Sequence, residues 1–310
     1  MQQSLIGLTD APGRTPQAAF LTDDSRDILR FALEALANGM RAALVTLVDI
    51  RGGAARPLGA QMTVREDGQY CGFVSGGCVE GAVAFEAMEA IRCAQDRTVR
   101  YGEGSPWFDI VLPCGGGITL NIHTLRSAQP LHEVLHQLER RQPVTLRYCP
   151  TSQTLAVQPG YSKTRWRNGE FALGFRPCVR VMIFGRSVEA QTTALLAEAA
   201  GYDVQLCADA TLFPPPDADT AVLLLWHDLD REFPVLQAAL AAKPFYIGAL
   251  GSYRTHQKRV ARLCAHGWRQ KDIARINAPV GIFPKARDAR SLALSVLADV
   301  AATRLKSEAS

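Results

Sequence analysis

No CxxC pair occurs among the eight cysteines of this 310-residue chain, which argues against a zinc ribbon and against a thioredoxin-type redox site. There is no run of eighteen apolar residues, so no segment reads as a bilayer-spanning helix. The N-terminus lacks a basic segment followed by an apolar stretch, the pattern of a secretory leader. These absences predict a soluble cytoplasmic protein with no membrane association, whose cysteines stay reduced. Net charge is also scarce. Thirty-four basic against thirty acidic side chains leave +4, too little to indicate nucleic-acid binding. The excess is local, however: from residue 251 onward twelve Lys or Arg face four Asp or Glu, a segment suited to a phosphate-bearing ligand or an acidic partner.

Glycine and cysteine, by contrast, coincide twice. The stretch Gly72-Phe73-Val74-Ser75-Gly76-Gly77-Cys78-Val79-Glu80-Gly81 reads as strand, tight turn and helix. Val79, Ala82, Val83, Glu86, Ala87, Ala90 and Ile91 recur at helical spacing after it. Cys78 therefore falls near a helix N-terminus, where unpaired N–H groups and the helix dipole favour an anion or a thiolate. A plain buried structural cysteine is the simpler reading of one such loop. A second has the same character: Val111-Leu112-Pro113-Cys114-Gly115-Gly116-Gly117 leads into an alternating strand pattern. Two such loops in one domain point to a site. Thiols suit a thiophilic metal or a sulfur-transfer step, with Cys78 and Cys114 as candidate metal ligands, and glycine-bared amides suit a phosphate. Arg51 and Arg56, in a glycine-rich loop after the strand at 42–48, are candidates for a phosphate or carboxylate fork.

The length predicts two domains. Residues 1–22 are polar and read as a mobile arm, 23–160 as an N-terminal α/β domain, 161–176 as a linker of poor periodicity, and 177–310 as a second α/β domain. Within the first, Asp23, Asp24 and Ser25 cap a helix ending at Gly39, and Asp67-Gly68 turns a hairpin. His132 and His136, four apart on a helix, are read as surface histidines. The second domain opens with a strand at 178–184, then Gly185-Arg186-Ser187, a helix and a strand ending at Asp209, the layout of a Rossmann-like doubly wound parallel sheet. Its GxGxxG fingerprint is reduced to Gly185, with Ser187 and Ala190 at the other two positions, so a nucleotide site there is doubtful. Asp209 has the position of a ribose ligand. His227 and Asp228 follow a strand and belong to the ligand crevice of such a sheet, unless Asp228 serves only as a helix cap. Gly248, Gly251, Ser252 and Arg254 form a glycine loop opening a basic helix, a natural anion site.

The motifs Arg56-Pro57-Leu58-Gly59-Ala60, Ser75-Gly76-Gly77-Cys78-Val79-Glu80-Gly81, Leu112-Pro113-Cys114-Gly115-Gly116, His227-Asp228, Tyr246-Ile247-Gly248-Ala249-Leu250-Gly251-Ser252 and Ala278-Pro279-Val280-Gly281 together resemble the XdhC/CoxI family, over nearly the whole chain after the arm. The resemblance implies an XdhC-type N-terminal domain followed by a Rossmann domain. It also implies an accessory role rather than an enzymatic one: binding the molybdenum cofactor, as molybdopterin or its cytosine dinucleotide, protecting its sulfido ligand, and delivering it to an apo molybdenum hydroxylase. Implied partners are that hydroxylase, a cysteine desulfurase and a molybdenum cofactor cytidylyltransferase, with a homodimer expected on general grounds. Two alternatives stand beside it: an NAD(P)-dependent oxidoreductase, and a cofactor-free protein bridging desulfurase and hydroxylase.

Overall fold

The computed structural model describes residues 15–103, 115–207, 215–283 and 286–309, so Cys114 and Asp209 lie outside the described residues. The chain divides into two compact units, residues 1–176 and 177–310.

In the first unit the elements run β1 (Gln17–Ala18), α1 (Ser25–Ala37), β2 (Ala42–Arg51), β3 (Gln61–Arg65), β4 (Gln69–Gly72), α2 (Glu80–Cys93), β5 (Arg97–Gly102), β6 (Gly117–Thr124), α3 (Gln129–Glu139), β7 (Val144–Cys149), β8 (Thr154–Pro159), β9 (Arg165–Arg167) and β10 (Glu170–Phe175). The Asp24 carboxylate caps α1 by accepting the Arg26 N–H at 2.8 Å, and Gly39 ends the turn after it at φ +72°. A six-stranded sheet has the order β1-β4-β3-β2-β6-β5. Strand alternation splits its side chains into two cores. Ala43, Val45 and Leu47 of β2 face α2, against Val83, Ala87, Ala90 and Ile91. Leu44 and Val48 face the other way, onto α1, α3 and a second, antiparallel sheet of order β8-β7-β10-β9.

Two expectations from the sequence change here. The arm is partly structured: Gln17–Ala18 pair in parallel with β4, while residues 1–14 lie outside the described residues. The supposed linker at 161–176 carries β9 and β10. Phe171, Leu173 and Phe175 alternate with Ala172 and Gly174 and are buried, and the Trp166 indole N–H donates to the Val48 carbonyl at 3.0 Å. The apolar period is short and flanked by cations, so it was hidden by composition. A third point concerns α3, where His132-Glu133-Val134-Leu135-His136 has the spacing of a zincin helix. Both histidines are exposed, and among the described residues no three His, Cys, Asp or Glu side chains are placed to hold a metal ion.

The second unit comprises β11 (Arg180–Phe184), α4 (Val188–Ala199), β12 (Asp203–Cys207), β13 (Thr220–Leu224), α5 (Leu229–Ala242), β14 (Tyr246–Ala249), α6 (Tyr253–Ala265), α7 (Gln270–Ile273), β15 (Ile276–Asn277) and α8 (Ala289–Ala309). All pairs in its sheet are parallel, in the order β12-β11-β13-β14-β15. Continuous apolar strands follow from burial on both faces. Val181, Ile183, Ala221 and Leu223 pack on α4 and α8; Met182, Phe184, Val222 and Leu224 pack on α5 and α6. This is the doubly wound α/β architecture. Its order reverses between β11 and β13, which puts the crevice at their carboxyl ends.

The basic bias after residue 251 is partly consumed inside this unit. Arg259, 3% exposed, forms a two-pronged ion pair with Glu232, 1% exposed, and also donates to the Leu250 carbonyl. Arg304 meets Asp219 at 2.6 Å, and Arg262 meets Asp230 at 2.6 Å. The Arg259 pair fastens α6 and the loop before it to α5. Replacing Arg259 by Leu strands a buried carboxylate and should cost about 3–5 kcal/mol, while the double replacement with Glu232→Leu recovers most of that loss. Urea denaturation of the full chain reads both. A single variant as stable as wild type would remove the pair from the account of this unit.

Candidate functional site

The loop between β4 and α2 is built around one carboxylate. Glu80, the first residue of α2, is 2% exposed. Its Oε1 accepts the N–H groups of Val74 at 3.0 Å, Ser75 at 2.8 Å and Gly76 at 3.2 Å. Its Oε2 accepts those of Gly77 at 2.9 Å and Val79 at 3.2 Å, and the Ser75 hydroxyl at 2.7 Å. Ser75 Oγ in turn accepts the Cys78 and Val79 N–H groups, each at 3.2 Å. Gly76 and Gly77, at φ +99° and +108°, allow the chain to wrap so tightly, since other residues are strained there. Burial alone would push the Glu80 carboxyl up, but the Ser75 hydroxyl and the ring of amides outweigh it and hold it below its ordinary value of 4.5.

The consequence reverses one expectation. The amides near Cys78 do form an anion nest, but Glu80 already fills it. What remains at the surface is Gly76, Gly77 and the exposed thiol of Cys78, carried on a loop whose backbone is fixed from beneath.

Three loops gather at the same end of the six-stranded sheet, because β2 and β4 end there while β6 begins there. A Cβ at Gly76 would lie 3.2 Å from that of Ala55. Gly116 has no room for a Cβ, which would collide with the carbonyl oxygens of Arg51 and Gly53. Gly115, exposed at φ +67°, precedes it. The Cys78 loop and the chain just after Cys114 thus flank the same 51–56 segment. The two arginines of that segment differ in use. Arg51 is committed to structure: Nε and Nη2 donate to the Glu103 carbonyl at 3.0 and 2.8 Å, and Nη1 reaches Asp49 and Thr119 at 3.1 Å each. Arg56 pairs with Asp23 through Nη1 at 3.1 Å, while its Nε is buried with no partner. Beside it a surface depression of about 400 Å³ is lined by Leu21, Thr22, Asp23, Arg56, Phe73 and Gly76. Glu80 and the 21–23 wall are additions of the structure. The only sequence signal for Glu80 is an acidic residue at the start of a helix after a Ser-Gly-Gly turn.

In the second unit the crevice loops are likewise closed by their own side chains. Gly185 is required by packing, since a Cβ there would lie 2.9 Å from that of Ala190 and 3.0 Å from the Leu225 carbonyl. Ser187 caps α4 by accepting the Ala190 N–H at 3.4 Å. The Ser187 hydroxyl and the first-turn amide hold the Glu189 carboxyl below its ordinary value, aided by His227 across the crevice. Asp228 caps α5, accepting from Asp230 at 2.9 Å and Arg231 at 3.3 Å, and exposed His227 precedes it. Ser252 caps α6 by accepting the Thr255 N–H at 3.2 Å. Gly251, at φ +124°, and Arg254 lie at the surface of that loop, with Arg254 fully exposed to solvent; Gly248 is buried in β14 against Val280 and Tyr246. The first-turn amides that a pyrophosphate needs are met by Ser187, Glu189, Asp228 and Ser252.

Comparison with known proteins assigns both units. Residues 35–102 match the model of the XdhC and CoxI family, and residues 181–300 match that of the XdhC Rossmann domain. The chain is 65% identical to the molybdenum cofactor insertion chaperone PaoD of Escherichia coli, over 94% of this chain and 93% of that one. It is 27% identical to the uncharacterized Escherichia coli protein YqeB, over 83% of this chain and 42% of that one. Among solved structures, a protein described as a xanthine dehydrogenase from Bacillus halodurans shares the fold with a TM-score of 0.69 at 21% identity, across 90% of this chain and 96% of that chain.

Glu80→Gln should loosen the loop without melting α2. The amide nitrogen of Gln cannot accept the N–H groups on its side, and each orphaned donor costs on the order of 1–3 kcal/mol. Hydrogen exchange at Gly76, Gly77 and Cys78 should accelerate in the variant; wild-type exchange rates would show that the carboxylate does not organise the loop. The pH dependence has a definite sign. Since the folded-state value lies below 4.5, the stabilisation is fully present above 4.5 and disappears as pH falls through the lower value. That acid loss of stability should be smaller in Glu80→Gln, as read by thermal denaturation across the acid range.

Proposed function

The chain belongs to the XdhC and CoxI family, and we propose that it is a molybdenum cofactor insertion chaperone that holds its cargo at the Cys78 end of the first unit. It passes that cargo to an apo molybdenum enzyme, here taken to be a hydroxylase of the xanthine or aldehyde dehydrogenase type. The observation that carries the assignment of the site is the exposed Cys78 thiol on a loop braced by Glu80, beside the depression at Arg56.

The donor set fits the cargo's chemistry. A molybdenum ion held by dithiolene sulfurs is soft, and Cys78 supplies a soft thiol next to it, as ligand or as persulfide carrier. Cys114 is proposed for the same role on the strength of the neighbouring Gly115 and Gly116, which abut the 51–53 backbone. The cargo's phosphate calls for a cation, and Arg56 has a buried guanidinium N–H without an acceptor. Because Glu80 consumes the loop amides, phosphate recognition falls to Arg56 rather than to the backbone. The depression of about 400 Å³ lies within the range of small-molecule sites, roughly 300–1,000 Å³.

The finer assignments extend this reading. A cysteine desulfurase is proposed as sulfur donor, a cytidylyltransferase as source of a cytosine dinucleotide form, a homodimer as the working assembly and the cytoplasm as its location. Among the described residues no helix is long and apolar enough to cross a membrane. An NAD(P)-dependent reaction receives little support, because Ser187 and Glu189 occupy the start of α4 where a dinucleotide's pyrophosphate would sit.

Protein purified anaerobically from cells with an intact cofactor pathway should carry molybdenum and pterin, measured by metal analysis and by fluorescence after oxidation. Cys78→Ala and Arg56→Gln should each lower the pterin content several-fold with the thermal transition unchanged, and Cys114→Ala should do so if both loops serve. Unchanged pterin in Cys78→Ala and Cys114→Ala alike would dismiss the thiol role. Wild type devoid of cofactor even after its addition would favour the cofactor-free bridging protein.

A further inference from the structure

The outer face of the small antiparallel sheet holds a second concavity, of about 320 Å³, distinct in sequence and position from the Cys78 loops. Strand register builds it. Arg147 on β7 and Arg165 on β9 both lie opposite Ala172 on β10, and Arg167 lies opposite Glu170. The alternation Lys163, Arg165, Arg167 keeps the β9 cations on this face, while Trp166 turns to the core. Ala172 makes a low floor between two guanidinium groups set about 10 Å apart at the backbone, two strand spacings.

One end is closed. The segment at 160–164 folds over the sheet: Thr145, 1% exposed, donates to the Gly160 carbonyl at 2.7 Å and accepts the Ser162 N–H at 2.9 Å. Gly174 lies directly beneath Ser162 and Tyr161 and has no room for a Cβ. The result is a bowl rather than an open strip.

Its charge is one-sided. Among the lining residues are four cations, Arg147, Lys163, Arg165 and Arg167, and one carboxylate, Glu170, which pairs with Arg147. Cationic side chains on an edge strand discourage edge-to-edge pairing, which accounts for part of β9. It does not account for Arg147, which sits on an interior strand between β8 and β10. Like charges gathered around one hollow repel, within reach of each other at a Debye length of about 8–10 Å. Planar guanidinium forks are matched to phosphate oxygens. We propose that this bowl is an anion-binding site for a small molecule bearing a diphosphate group, independent of the cofactor site at Cys78. The closed end and the limited volume favour such a compact ligand over an extended acidic peptide.

The test is calorimetric titration of the full chain with inorganic pyrophosphate. Wild type should bind, more weakly as salt rises. The double variant Arg165→Gln, Arg167→Gln, at exposed positions, should bind about tenfold or more weakly, the equivalent of losing roughly 1.4 kcal/mol. Lys271→Gln, the same charge change in the other unit, should bind as wild type. The proposal is overturned by absence of pyrophosphate binding at millimolar concentration, or by equal affinity in wild type and double variant, which would put the anion elsewhere. It is also overturned if polyglutamate binds through Arg165 and Arg167 while pyrophosphate does not, which would make the bowl a docking surface for an acidic protein segment.

Discussion

A buried carboxylate that accepts five backbone N–H groups, as Glu80 does, converts a glycine-rich turn from a flexible ligand loop into a fixed platform. Left empty, such a nest would attract an external anion and the two glycines would keep their freedom. Filled from within, it stores no site for phosphate but sets the height and direction of the residues above it. Cys78 is exposed because the chain beneath it is tied down, and α2 starts at Glu80 because that side chain supplies the acceptors its first amides need. The rest of the first unit then follows in sequence: α2 packs its apolar face on the six-stranded sheet, and the ends of β2, β4 and β6 bring the 51–56 and 115–117 segments alongside.

The same device recurs in the second unit with different residues. Ser187 and Glu189 at α4, Asp228 at α5 and Ser252 at α6 meet helix N-termini that in a dinucleotide-binding enzyme would be left for the ligand. The doubly wound architecture is intact, including the reversal between β11 and β13, and its core needs no ligand. A Rossmann-like fold whose crevice amides are occupied by its own side chains is consistent with a carrier that recognises its cargo by thiols and guanidinium groups.

Several features were legible from residue order because they depend on local chemistry. The capped helix at Asp24, the Asp67-Gly68 hairpin and the parallel strand pattern after Cys178 each follow from spacing and turn residues that act within a few positions. The family likewise could be read from short motifs. The roles within those motifs could not. Arg51 and Arg56 look alike in sequence, five positions apart, yet Arg51 is spent on the Glu103 carbonyl and Arg56 has an N–H to offer, because only Arg51 lies under the start of β6. The β9–β10 ribbon was missed because its apolar residues are few and its cations many, so burial against the first sheet, not periodicity, decides that it is ordered.

By itself, then, the order of residues determined the two α/β halves, the positions of the cysteine–glycine turns and the kinship of the chain, since all of these rest on hydrophobic period, glycine conformation and contiguous motifs. Tertiary structure alone decided which anion nests are open, which arginine is available and where the cations of 147, 163, 165 and 167 converge. Those outcomes depend on partners distant in sequence: a helix side chain reaching back into the preceding turn, a loop carbonyl fifty residues away, and the register of strands that place side chains face to face. Hydrogen-bond satisfaction and charge proximity are properties of distance in space, and residue order carries them only after folding.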